Sequence, residues 1–265
     1  VYQGDIHRIT GPMKHSNDYG TYLVPMVLMS LVLAITRYRD KRWIQGIAWT
    51  AFTAFTAYAL NRTLSRSAIL AVFAGLLVIV LLSRYRIRLL TISILAFSIV
   101  CFTPTTLGAR MRSLVDLSSG ILPERVLLLE TAIKMIRENP WFGLGLNTYS
   151  DHFQDYKPPD YDTVMYAHNS YAQMAAESGI VGIMVYLLFI LVFLRWVIRK
   201  ILGSRPAQLE YVSIGVVASV IGLMVNASFE SILQSTQLRT YFWCWMGIAA
   251  ALAFTKLMKS EENTA

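Results

Sequence analysis

The sequence predicts an all-α fold: a polytopic membrane helical bundle with seven spans and one large, partly helical outer loop. Three observations predict it. Across 265 residues the hydrophobic set supplies 55% and charged residues only 15%, against about 25% charged in soluble domains, and mean hydropathy is +0.48. Apolar runs long enough to cross a bilayer recur along the chain. The basic residues collect at alternate ends of those runs.

A span needs roughly 17–25 residues, because about 30 Å of hydrocarbon is covered at about 1.5 Å per residue. Seven segments are read as spans, at about 19–36, 43–60, 67–83, 88–103, 179–197, 209–226 and 238–256, the fourth being the shortest and stopping at Pro104. Backbone groups in hydrocarbon must be satisfied within the segment, so these are read as helices. Arg37, Arg39, Lys41 and Arg42 follow the first; Arg84, Arg86 and Arg88 follow the third. Arg195, Arg199, Lys200 and Arg205 follow the fifth, and Lys256 and Lys259 the seventh. Thirteen of the 24 Lys and Arg thereby mark the cytoplasmic ends, as the positive-inside rule requires. The net charge of +8 is absorbed by this pattern, and nucleic acid is not an expected partner. Residues 1–18, 61–66, 104–178 and 227–237 are then expected outside. The chain reads as one membrane domain, residues 1–265, with 104–178 as an extracytoplasmic loop. It begins at Val1 on the outer side without a leader peptide, so further spans are expected upstream and the chain is expected to be the C-terminal part of a longer protein. Cys101 and Cys244 sit alone within spans and read as small apolar packing residues.

The outer segments carry the polar chemistry. In ALNRTLSRSAILAV (59–72), Ser65 suits the cap of the third span, with Arg62 and Arg66 beside it on the side that the charge rule depletes. A helix N-terminus with a guanidinium suits phosphate, and a snorkelling anchor is the alternative. The first segment adds Arg8. In the long loop, Pro123 and Glu124 open a helix that Asn139-Pro140 ends. Glu130, Lys134, Arg137 and Glu138 fall on one side of it, and Leu128, Leu129, Ala132, Ile133 and Ile136 on the other. Arg125 projects from the apolar side, where it either snorkels over lipid or meets an anion inside the protein.

The stretch HFQDYKPPDYDTVMY (152–166) reads as an irregular loop because of Pro158-Pro159. Its tyrosines, with Tyr149 and Tyr171, suit sugar stacking or an interfacial aromatic belt. In AHNSYAQMAAESGIVG (167–182), Ser170 with Gln173 fits a capping box, and a short helix should run to Ser178-Gly179. His168 falls just outside that helix start, which favours a neutral imidazole able to accept a proton. A general base and a structural hydrogen bonder both fit. All four histidines lie outside without metal-ligand spacing, so no metal site is expected. Phosphate-loop and serine-hydrolase motifs are lacking as well.

RITGPMKHSNDYGTYL, LSRSAILAV, PER before an amphipathic helix, NPWFGLGLNTY and AHNSYAQMAAESGIVG occur in this order with spans between them. Together they resemble the O-antigen ligase and polymerase superfamily of bacterial membrane glycosyltransferases, over nearly the whole chain. The resemblance implies a multi-pass protein of the bacterial inner membrane with its site facing the periplasm. It implies metal-independent transfer of a glycan from an undecaprenyl-pyrophosphate donor to an acceptor hydroxyl, without a cofactor. The acceptor would be lipid A-core, a growing polysaccharide or a protein hydroxyl, corresponding to ligase, polymerase or protein O-oligosaccharyltransferase. Arg66 and Arg125 would bind the donor pyrophosphate, and His168 would be the base or would hold donor and acceptor in register. Arg8, Arg62, Asn169 and Tyr171 are supporting candidates. Small residues at Ala54, Ala57, Ala71, Ala74 and Gly75 would line a groove for the lipid tail. The alternative of another class is a transporter or flippase of lipid-linked sugars. Transporters carry ionisable groups near the bilayer midplane, whereas these spans are nearly uncharged and Glu210 and Glu230 fall near span ends.

Overall fold

The computed structural model describes residues 8–83, 121–157, 166–202 and 207–262. Among these residues the structure is helical, without strands: α1 (Ser16–Arg39), α2 (Trp43–Thr63), α3 (Arg66–Leu82), α4 (Ile121–Glu138), α5 (Tyr149–Tyr156), α6 (Ser170–Leu202), α7 (Ala207–Ala227) and α8 (Thr236–Glu262). Among the described residues, three stretches are long and apolar enough to cross a membrane: Ser16–Arg39, Ser170–Ile201 and Glu210–Ala227. Arg66–Leu82 is apolar but shorter. Helices also occupy the positions expected for the second and seventh spans. The span expected at 88–103 lies outside the described residues, as do Cys101 and 158–165.

The chain divides into two compact units. The first comprises residues 1–111, 197–226 and 240–265; the second comprises 112–196 and 227–239. In the first, small residues let helices approach closely, which is how apolar helices gain contact where lipid offers no hydrophobic drive. A Cβ on Gly20 would lie 2.9 Å from that of Ser65, so the glycine seats α1 against the start of α3. A Cβ on Gly75 would collide with Leu28, and one on Gly222 would lie 3.0 Å from the Ala71 carbonyl oxygen. Buried hydroxyls add directional ties: Thr53 Oγ1 donates to Ser30 Oγ (2.9 Å) and Thr21 Oγ1 to Asn226 Oδ1 (3.0 Å). The lipid-tail groove expected along Ala71 and Gly75 is therefore corrected. Both residues are buried in helix packing, while Ala54 and Ala57 lie exposed on α2. Cys244 is also exposed instead of packed.

In the second unit the buried side of α4, formed by Leu128, Ala132 and Met135, joins Tyr149 and Phe153 of α5 with Ala167 and Ala176. The amphipathic split expected for α4 holds, although Leu129 and Ile133 at its margin are exposed. Residues 152–156, expected to be irregular, form the second half of α5, which ends at Lys157 in extended backbone just before the prolines. Phe153 supplies the reason: it is fully buried in the core and draws the segment into one helical turn. Burial pushes the Tyr149 phenol up, and the Glu177 carboxylate adds to the shift.

α6 breaks at Gly179, whose φ of 69° is left-handed. A helix break leaves carbonyls on one side and N–H groups on the other without partners. The 139–147 turn supplies both sets. Leu144 and Gly145 N–H groups donate to the Ala176 and Glu177 carbonyls (3.0 and 2.9 Å), while Ile180 and Val181 N–H groups donate to the Pro140 and Trp141 carbonyls (2.7 and 3.4 Å). A side chain on Gly143 would strike the Glu177 backbone, and one on Gly179 the Trp141 backbone.

Candidate functional site

Arg8, Arg62 and Arg66 belong to the first unit. α2 ends in a left-handed Leu64, and Ser65 caps α3 as expected, its hydroxyl accepting from Ala68 N–H at 3.4 Å. Arg66 is the first residue of α3 and half-buried; Arg62 is exposed in the last turn of α2. Arg8 binds back onto this corner. Its Nε donates to the Thr63 carbonyl (2.8 Å) and one terminal nitrogen to Asn17 Oδ1 (2.5 Å). The Ile9 N–H reaches the Arg62 carbonyl at 3.3 Å. Cations at a helix C-terminus are favourable, so Arg8 clamps the end of α2 that presents Arg62.

Arg125, His168, Asn169 and Tyr171 belong to the second unit, and two of them meet on one carboxylate. Arg125 donates from one terminal nitrogen to the Phe229 carbonyl (2.9 Å) and from the other to Glu230 Oε1 (3.1 Å). Glu230 Oε2 lies 3.4 Å from His168 Nδ1. Of the two settings open to Arg125, lipid or an anion within the protein, the structure shows the anion. The Glu230 side chain is 6% exposed, against 31% for Arg125 and 34% for His168. A buried carboxylate between a guanidinium and an imidazole satisfies the rule that buried charge must be paired. His168 Nδ1 is buried and, among the described residues, makes no hydrogen bond.

The local chain holds this geometry. His168 takes a left-handed backbone, φ 46°, which turns the chain into α6. Its neighbour Asn169 caps the helix, Oδ1 accepting from Tyr171 and Ala172 N–H groups (both 3.0 Å). The expected capping box is therefore corrected: the cap is Asn169, one residue before Ser170. Ser170 is used elsewhere, donating to the Glu230 carbonyl (2.7 Å) and accepting from Leu233 N–H (3.2 Å). Gln173 accepts from Ser231 Oγ (3.4 Å) and donates to Glu177 Oε1 (3.1 Å), while Glu177 Oε2 accepts from Asn147 N–H (3.0 Å). Glu230 is thereby fixed from both sides in the chain, through its own carbonyl and through Ser231.

Glu230 is the residue that sequence reasoning missed as a member of the site. Its only signal was an acid at the outer end of an apolar run. Among the described residues no group of three or more His, Cys, Asp or Glu is placed to hold a metal ion.

These features define a helical membrane protein with a guanidinium–carboxylate–imidazole cluster held between the start of one helix and a neighbouring turn. The family model described as O-antigen ligase matches residues 50–187, more than half of the chain, and the chain belongs to that family. It is also similar to the teichuronic acid biosynthesis protein TuaE of Bacillus subtilis (strain 168), with 23% identity over 279 residues. That match covers 97% of this chain and 54% of the relative, so the chain spans about half the length of the curated protein it matches.

Proposed function

We propose that the chain carries the outer-face catalytic part of a membrane glycosyltransferase of polysaccharide assembly. In this reading a glycan leaves an undecaprenyl-pyrophosphate donor for an acceptor hydroxyl on the periplasmic or outer side of the bacterial inner membrane. The single observation that carries the reading is the Arg125–Glu230–His168 cluster, in a chain of the O-antigen ligase family. The acceptor O–H attacks the anomeric carbon, the C–O bond to pyrophosphate breaks, and the acceptor proton passes to His168 Nε2. With Nδ1–H turned toward Glu230, the neutral ring keeps its lone pair on Nε2. The 3.4 Å separation is longer than a strong N–H···O bond, and it would shorten as the ring gains charge. The departing pyrophosphate gains negative charge, which Arg125 in a partly dry site stabilises without reorganisation. Arg66 at the start of α3 is assigned the same leaving group, with Arg62 in support and Arg8 holding the corner. Asn169 and Tyr171 act through the helix start that positions His168.

Of the acceptors, the similarity to a protein named for teichuronic acid biosynthesis favours a growing polysaccharide over lipid A-core or a protein hydroxyl. The test is reconstitution of the full-length protein with an undecaprenyl-pyrophosphate glycan and each acceptor class, without ATP and with chelator. Transfer lost in Arg125→Ala and His168→Ala proteins that remain folded supports the scheme. Normal transfer by both variants overturns the catalytic assignment. Movement of donor across the bilayer without transfer would instead support the flippase reading.

A further inference from the structure

The turn that clips the α6 break also presents the most exposed apolar side chains among the described residues of the second unit: Trp141 is 65% exposed, Phe142 79% and Leu146 78%. In water this costs free energy with no return inside the protein. Two independent features say what covers it. The first is continuity: the turn is hydrogen-bonded around Gly179, and α6 beyond that point exposes Met184, Val185, Leu188, Leu191 and Val192 along one side. That side belongs to a helix long and apolar enough to cross a membrane, and its covering is lipid.

The second feature is length. Residues 179–194 carry no charge, and Ser178 and Arg195 bound them. Sixteen helical residues cover about 24 Å, less than the roughly 30 Å of hydrocarbon. A stretch that short cannot raise Gly179 clear of the bilayer; even with Arg195 snorkelling, the break lies at the boundary between acyl chains and headgroups. Four backbone hydrogen bonds hold the turn at that same depth.

We propose that the Pro140–Leu146 turn is a membrane-interface anchor, with Trp141, Phe142 and Leu146 inserted at the headgroup–acyl boundary of the bilayer. Aromatic side chains are favoured at that depth. The anchor fixes the height of the site as well. The helix from Ser170 to Ser178 rises about 12 Å, so the His168–Glu230 pair at its start lies within that distance of the headgroups. A phosphate linked to a lipid tail resides in this layer.

The proposal rests on α6 crossing the membrane, and the experiment separates the two. In the full chain with Cys101→Ala and Cys244→Ala, single spin labels are introduced by Phe142→Cys, Leu146→Cys, Met184→Cys and Asp155→Cys. The protein is placed in phosphatidylethanolamine–phosphatidylglycerol nanodiscs. Power saturation by oxygen and by a neutral nickel chelate then reports depth. Oxygen is expected to dominate at 142, 146 and 184, more weakly at the first two, and nickel at the exposed Asp155 position. Nickel dominance at 142 and 146 with oxygen dominance at 184 overturns the anchor while leaving the span. Nickel dominance at 184 as well overturns the span on which the proposal rests. Labels at 142 and 146 shielded from both reagents would place protein on the turn and also overturn the proposal. The two turn positions are read separately, so one poorly folding variant does not remove the test.

Discussion

Replacing Glu230 by Gln removes one charge and almost no volume, and its effect can be worked out from the two contacts of the carboxylate. One oxygen accepts from Arg125, and the other lies 3.4 Å from His168 Nδ1. An amide has one accepting atom. If its oxygen keeps Arg125, its NH2 faces Nδ1 and donates to it, which drives the imidazole proton to Nε2. The nitrogen that faces the substrate then has no lone pair. If the oxygen turns to His168, the NH2 faces a guanidinium and Arg125 is released from its carboxylate. General-base assistance contributes about 10²–10⁴-fold, or about 3–5 kcal/mol at roughly 1.36 kcal/mol per tenfold. The stability loss should be smaller, about 1–2 kcal/mol, since the partial exposure of Arg125 screens the lost charge and its bond to the Phe229 carbonyl is kept. The assay is single-turnover transfer with saturating donor, alongside helical content by circular dichroism. The expected outcome is a fall in the single-turnover rate constant within that range, with the half-saturating acceptor concentration little changed. A Glu230→Gln protein that transfers at the wild-type rate would refute the assignment of a tautomer-setting role to Glu230.

Further substitutions probe the supporting geometry. His168→Asn should lose about 10²–10⁴-fold in transfer rate yet keep its fold, because Asn tolerates the left-handed φ of 46°; transfer rates and a thermal melt check both halves. Asn169→Ala removes the acceptor of two helix-start N–H groups and should cost about 1 kcal/mol, measured as a lowered melting temperature, whereas Ser170→Ala should act through the Glu230 carbonyl and lower the transfer rate. Gly143→Ala adds a side chain against the Glu177 backbone at a left-handed φ of 69°; it should destabilise the turn, and faster hydrogen exchange at the Leu144 and Gly145 N–H groups reads the loss.

How far the sequence reaches is set by the range of the interactions. Apolar period, caps and breakers act within a few residues, so the helices at the six described span positions, the Ser65 cap and the end of α4 at Asn139 were all legible. Reading failed first where two local solutions competed. Asn169 and Ser170 are both good caps, and the sequence pattern with Gln173 pointed to the second. The choice was made by the Glu230 carbonyl and the Leu233 N–H, which engage the serine hydroxyl from sixty or more residues away. It failed again where a small residue has two uses: Gly75 suits a lipid groove as well as helix contact, and only the position of Leu28 decides. Glu230 is the strongest case, since the bond to Arg125 spans 105 positions and no spacing rule covers it. Yet Arg125 itself was informative. A guanidinium on the apolar side of an amphipathic helix must either reach water or find an anion, and that demand is physical even before its partner is known. The productive question for such a residue is which distant acid answers it. Here the answer also touches the histidine, which turns two separate weak signals into one site.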